Sequence, residues 1–316
     1  LKRWIKNSML ITTILLVISA CSQQAESQEP DQTNTLTVDN YGREVTIPDV
    51  PKRVLTFGPN TTELLIALGQ GDKIIGNTLN NHSRGALPEY KEQYEQIPEL
   101  THGSATREAV LSSGADFIYG IDWEFGEEGI DLAELDDYEI TAYLNSAGSL
   151  EDIYQEITDI GTIFDAEDEA EAFITDQQER MAEVEEKRKD SEPLDVLVYD
   201  SGGEGVFTAG GDNFETRLIE LAGGRNIFDD ITDKQWSTVS YEEVLAREPD
   251  VILIHDYDVP SAEEKIAEIQ NNAALAELES VQQERFVTIS LESVLPGARM
   301  AYAVEELARG FYPELF

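Results

Sequence analysis

The chain has 316 residues, 22 basic against 64 acidic, and a formal net charge of −42 at pH 7. Hydrophobic residues make up 41% of it, enough for a real core, so wholesale disorder is excluded. Nucleic acid and anionic lipid headgroups are poor partners for so acidic a surface, because their phosphates are repelled at long range.

Lys2, Arg3 and Lys6 precede an apolar or small-residue run from Met9 to Ala20. That run is short for a bilayer span and suits the core of an export signal. It ends Ile18-Ser19-Ala20-Cys21, which resembles the lipobox of bacterial lipoproteins. The resemblance implies cleavage before Cys21 and a lipid on its thiol. Residues 1–20 are therefore expected to be a lipoprotein signal peptide. Residues 21–35, rich in Ser, Gln, Glu, Asp and Thr, are expected to be a flexible tether. Cys21 is the one cysteine, so an internal disulfide and a thiolate metal cluster are excluded. The histidines are His82, His102 and His255, and no His-x-x-x-His spacing suggests a zinc hydrolase.

From Leu36 onward the chain alternates strand and helix. Leu36 to Ile47, with Tyr41-Gly42 at its middle, predicts a β-hairpin. Short apolar strands are predicted over 53–57, 73–76, 116–120 and 139–144. Helices are expected from Asn60, which is placed to cap, to Gly69, and over 106–113 and 130–136. This makes residues 36–148 an α/β lobe with a mostly parallel sheet. Residues 149–190 favour helix throughout, with Ile153, Ile157, Ile160 and Phe164 at helical spacing. They predict one long connecting element, with a break near Asp165. The alternation then resumes over 191–316, a second α/β lobe. Strands are expected over 194–199, 205–209, 251–255 and 285–289. Helices are expected over 213–222 (with Asp212 and Glu215 as a capping box), 241–247, 261–278 and 298–309.

The halves echo each other. Thr106-Arg107-Glu108-Ala109-Val110-Leu111 precedes Asp116, and Ser240-Tyr241-Glu242-Glu243-Val244-Leu245 precedes Asp250. Each segment puts Ser or Thr at a helix N-cap and Glu in the first turn. One exposed acid per lobe suits a partner with two basic sites.

The order of these segments resembles the substrate-binding proteins of ABC importers for ferric siderophores, haem and cobalamin, the class III periplasmic binding proteins. The resemblance rests on Gly42 to Pro48 with Pro51-Lys52-Arg53-Val54, on Thr62 to Gly69, on Leu221 to Phe228, on Val239 to Val244, and on Pro296 to Arg299. It implies two Rossmann-like lobes joined by a single long helix, with the ligand cleft between them and no enzymatic activity. It implies capture of an iron(III)-siderophore, with haem, cobalamin or a bare metal ion as alternatives, and no other cofactor. It further implies delivery to an ABC permease dimer through Glu108 and Glu242, and a monomer held by lipid on the outer face of the cell membrane.

In open α/β sheets, ligands bind beyond the C-terminal ends of the strands. Ten residues at such positions are candidates: Asn60, Asn77, His82, Arg84, Trp123, Tyr199, Phe207, Trp236, Tyr257 and Arg299. The aromatic residues would stack on a flat or greasy ligand and the arginines would neutralise an anionic one. Trp123 also reads as lobe packing, His82 as an ordinary loop histidine, and His255 as a structural residue at a strand end. Few basic residues among the candidates favours a neutral hydroxamate-type chelate over a catecholate.

Overall fold

The computed structural model describes residues 35–126 and 128–316, and Thr35–Phe316 is one compact unit. The expected signal peptide, the lipidated Cys21 and all but the last residue of the tether lie outside the described residues. Among the described residues no helix is long and apolar enough to cross a membrane.

Strands β1 (Leu36–Asn40) and β2 (Arg43–Ile47) form the predicted antiparallel hairpin. Tyr41 and Gly42 turn it with φ of 55° and 78°, the left-handed pair that suits a two-residue hairpin loop. The Asn40 amide clamps the hairpin to the first sheet by a two-way exchange with the Leu144 backbone. The first lobe then runs β3 (Val54–Phe57), α1 (Pro59–Ala67), β4 (Ile74–Thr78), α2 (Lys91–Tyr94), α3 (Arg107–Ser112), β5 (Phe117–Ile121), α4 (Leu132–Asp137) and β6 (Thr141–Asn145). Its sheet is parallel, in the order β4-β3-β5-β6. Asn60 does not cap α1. Gly58 takes the N-cap position and Pro59 starts the helix, whose rigid φ suits the first turn.

The connector is two helices, α5 (Leu150–Ile163) and α6 (Glu167–Arg188), in place of a single long one. The break lies at Phe164–Ala166, where Asp165 has φ 54°. Each helix belongs to a different lobe. Phe164 at the end of α5 meets Phe117 of β5 edge-on. On α6, Arg180 pairs with Glu305 and Gln177 accepts from the Ala301 backbone, both partners lying in the second lobe. Gly161 is where α5 and α6 touch, since a Cβ there would sit 2.7 Å from that of Ala170. Gly161→Leu should therefore force the helices apart and cost ~1–3 kcal/mol in urea unfolding; a loss under a few tenths would mean this contact yields freely.

The second lobe comprises β7 (Leu194–Tyr199), β8 (Val206–Ala209), α7 (Phe214–Ala222), β9 (Gly224–Asn226), β10 (Trp236–Val239), α8 (Tyr241–Arg247), β11 (Val251–Asp256), α9 (Ala262–Asn271), α10 (Glu279–Gln282), β12 (Phe286–Ser290), α11 (Leu291–Val294) and α12 (Met300–Phe311). Its parallel sheet has the order β12-β11-β7-β9, while β8 and β10 form a separate antiparallel ribbon. Asn213, not Asp212, caps α7, accepting from the Glu215 backbone at 2.9 Å. Glu215 is thereby freed for another partner.

The sequence echo is an echo in hydrogen bonding. Thr106 caps α3, and Ser240 caps α8 in a full capping box with Glu243. The Asp116 backbone N–H donates to the Arg53 carbonyl, and its carboxylate accepts from the backbone of Lys52 and Arg53. Asp250 makes the same exchange with Asp195. Each aspartate thus fixes the start of a central strand against its neighbour.

One hydrophobic cluster runs through both lobes, from Val54, Leu64 and Phe117 through Ile157 and Met181 to Val196, Leu218 and Leu253. Smaller clusters fill the outer side of each sheet. A minor one, Leu79, Ile121 and Leu295, joins the lobes between the strand ends.

Candidate functional site

The C-terminal ends of both parallel sheets face each other across the lobe boundary. At one end of that boundary lies a slot. Trp123 forms one wall with Ile121 and Asp122, and Trp236 forms the other with Gln235, Asn213 and Phe214. Asn145, Ser146, Leu295 and Pro296 close the floor. Trp123 is 45% exposed and follows β5. Trp236 opens β10 and stacks on Phe207 of β8, with ring centroids 5.5 Å apart and planes 18° apart. The antiparallel pairing makes this stack, since β8 and β10 lie side by side and carry both rings on one face of the ribbon. The free volume of the slot is about 20 Å³, room for a single water. Its walls must separate to admit anything larger.

The floor is built from buried polar groups. Asn60 donates its amide to Asn145 at 2.9 Å and, across the lobes, to the Pro296 carbonyl at 2.6 Å. Glu156 of α5, fully buried, accepts from Tyr41, Tyr119, Asn145 and the Ser146 backbone. Burial pushes its carboxyl up to about 7 against those hydrogen bonds. Asp122 accepts from Ser146. These contacts hold the slot-lining loop after β6.

Behind Trp236 lies His255, fully buried at the end of β11. The Trp236 ring meets it edge-on at 5.8 Å. Asp200 approaches one imidazole nitrogen at 3.1 Å and Glu215 the other at 2.8 Å. Burial opposes its protonation, but the two carboxylates outweigh burial and raise its pKa to about 9. Asp200 also accepts from the Tyr257 hydroxyl at 3.2 Å. Lys265 donates to the His255 carbonyl and sits 3.6 Å from the centre of the Tyr257 ring. Burial lowers its pKa to about 8.

The other end of the boundary is tied shut by charge. Arg84 makes a two-pronged bond to Asp256, at 2.8 and 2.7 Å. His102 bridges Glu99 of its own lobe and Asp258 of the other. His82 lies half-buried, its ring 6.1 Å from that of Tyr257, and burial lowers its pKa. Between the two ends sits Arg299, 3% exposed. It clasps Glu63 with two nitrogens at 2.5 and 2.7 Å, reaches Glu292 at 3.1 Å, and donates to the Gly85 carbonyl at 2.8 Å.

The ten candidates thus separate. Trp123 and Trp236 line the slot, Phe207 stacks on Trp236, and Asn60 lies beneath the floor, bonded to Asn145 and Pro296. His82, Arg84 and Tyr257 gather at the tied end. Asn77 is buried in β4 and bonded to Asn80, lining a separate groove beside Arg84, Lys91 and Tyr94. Two further candidates are buried outside the slot. Tyr199 is 1% exposed and packs in the core of the second lobe, because its strand is covered on both faces. Arg299 has its guanidinium spent on buried carboxylates. Asn145, Ser146, Asn213 and Pro296 line the slot without having been singled out, and Asp122 joins them beside Trp123. Only their positions after β5 and β6, before α7, and after α11 hint at it. Glu108 and Glu242 are both exposed in the first turns of α3 and α8, and among the described residues neither forms an ion pair.

A family model described as periplasmic binding protein matches residues 54–291, the span that holds both parallel sheets and all of the slot but Val294, Leu295 and Pro296. The chain belongs to the periplasmic binding protein family. It is a binding protein of that class and not an enzyme. A substrate-binding lipoprotein of an ABC transporter from Bacillus subtilis is 25% identical over 320 residues, covering 98% of this chain and 96% of that one. A vitamin B12-binding protein from Pectobacterium atrosepticum is 28% identical over 227 residues, covering 70% and 76%. A solved periplasmic binding protein from Veillonella parvula superposes with TM-score 0.79 at 25% identity, covering 88% of this chain and 98% of that one. Periplasmic binding proteins hold solutes, and no group of three or more His, Cys, Asp or Glu among the described residues is set to hold a bare metal ion.

Proposed function

We propose that this protein is a lipid-anchored, extracytoplasmic substrate-binding protein that captures an iron(III)-siderophore and hands it to an ABC permease. The observation that carries the ligand class is the aromatic slot. Trp123 from one lobe and Trp236 from the other, the latter backed by Phe207, line it at the strand ends where α/β sheets bind ligands. Rings on both sides suit a bulky, partly apolar chelate better than an amino acid or sugar. The missing donor set argues against a bare metal ion. The Bacillus subtilis relative supports the ABC partner and the anchor at Cys21. Glu108 and Glu242, exposed and without an ion pair among the described residues, are the proposed contacts to basic residues of the permease, giving orientation more than affinity.

A second reading is cobalamin, favoured by the vitamin B12-binding relative and by the fit of a large macrocycle between two indoles. Haem is a third outcome of the same assay. The test is tryptophan fluorescence of the full chain in detergent, titrated with ferric hydroxamates, ferric catecholates, haem and cobalamin. One ferric chelate should quench saturably below micromolar concentration. Trp236→Ala should weaken it roughly 30-fold, the ~2 kcal/mol of a central aromatic anchor, with Trp123 still reporting. Saturation by cobalamin alone moves the protein to the second reading, and no response to any of them sinks the transport role.

A further inference from the structure

We infer that the slot selects solutes of zero or positive net charge, a cationic or neutral ferric trihydroxamate or a corrinoid, and turns away polyanionic chelates. This rests on the proposed capture of a chelate at that slot. The first ground is that the cations along the lobe boundary are already committed. Arg299 is held by Glu63 and Glu292, Arg84 by Asp256, His255 by Asp200 and Glu215, and His102 by Glu99 and Asp258. Three of the four face two carboxylates each, so the boundary keeps a negative surplus even with both histidines protonated. Lys265 is buried against the Tyr257 ring and the His255 carbonyl, with no path to a ligand. Lys234, exposed in the loop before β10, is the exception, a single point charge outside the slot.

The second ground is the slot wall itself. Asp122 lines it, and its partner is the neutral hydroxyl of Ser146. Asp200 stands behind Trp236, shared between His255 and Tyr257. The third ground is the pair of indole walls. Their faces carry negative quadrupole density, which attracts cations and is indifferent or hostile to anions. Around all this lies the field of a chain at net −42, which raises the local concentration of cationic solutes and lowers that of anionic ones. An anionic guest finds no free guanidinium to replace its water. A neutral or cationic one loses little hydration and gains the rings.

The test uses the full chain in detergent and a series of ferric trihydroxamates of net charge +1, 0 and −1, which share metal and donor atoms and differ only in a peripheral group. A ferric tris-catecholate, haem and cyanocobalamin complete the set. Affinity should fall roughly tenfold for each unit of negative charge added, and the gap should narrow in 0.5 M salt. Asp122→Asn, which keeps a hydrogen-bonding partner for Ser146, should shrink the difference between the +1 and −1 chelates severalfold. A tris-catecholate or haem that binds as tightly as the cationic hydroxamate overturns the charge inference and leaves the chelate reading standing. A flat response across the hydroxamate charge series overturns it in the same way. No saturable response to any compound overturns both.

Discussion

Replacing Arg299 by Met should lower the stability of the fold by ~3–5 kcal/mol, the usual cost of leaving a buried charge without its partner. The guanidinium is 3% exposed and is the cation beside Glu63 and Glu292, whose side chains are fully buried. It also satisfies the carbonyl of Gly85 and the hydroxyls of Ser290 and Ser293. Met fills much of the same volume, so the loss measured is electrostatic more than a cavity. Arg299→Lys should recover only part of it, since an ammonium cannot reach both carboxylate oxygens of Glu63 in a planar fork. Adding Glu63→Gln to Arg299→Met should recover part as well, by removing one of the orphaned charges. Urea unfolding reads all three, and an Arg299→Met loss below ~1 kcal/mol would mean the clasp is replaceable by water.

The second large effect is in pH. His255 has a folded pKa of about 9, against ~6.5 for a free histidine. A group bound more tightly to its proton in the folded state stabilises fully below the unfolded pKa. Its contribution is then lost as pH rises through the folded value, here between about 6.5 and 9. The shift corresponds to ~3 kcal/mol in all. Glu156, raised to about 7, works in the same direction over a lower window, from about 4.5 to 7. Lys265, lowered to about 8, works oppositely above that pH. Between pH 7 and 8 the histidine is left nearly alone, and stability should fall by ~1 kcal/mol across that unit. His102, exposed between its two acids, adds in the same sense. His255→Gln should be less stable at pH 6 and nearly level from 7 to 8. A wild-type curve level over that interval would mean that His255 is neutral between its carboxylates.

Much of the fold was legible because parallel strands covered on both faces read as short apolar runs between turn residues. Val54–Phe57, Leu194–Tyr199 and Val251–Asp256 are such runs, and the helices between them carry their own caps at Thr106, Ser149 and Ser240. That same two-sided burial hid the fate of Tyr199. With no alternation along the strand, its position at the end could not be told from a mouth-lining one. The β8–β10 ribbon was half visible, because Trp236–Val239 is only four residues long and follows a polar loop. Arg299 looked like a ligand contact because it is a basic residue beyond the C-terminal end of a predicted strand. Its partner Glu63 is 236 positions away, inside helix α1. Long-range ion pairs leave no local trace. Trp123 and Trp236 stood out on chemistry alone, as large rings in polar loops, and the fold sets them opposite each other.

The common core that runs through both lobes has a mechanical consequence. Glu108 and Glu242 stand on helices that lead into central strands of the two sheets, β5 and β11, like two pins of one plug. On the proposed docking role, lobes that share their hydrophobic filling would keep the spacing of the pins nearly constant while the slot walls open. A receptor gripping both would feel the same plug whether loaded or empty. News of the cargo would have to pass through the surface between the pins, where the indoles part and the ties of Arg84 and His102 are strained or released.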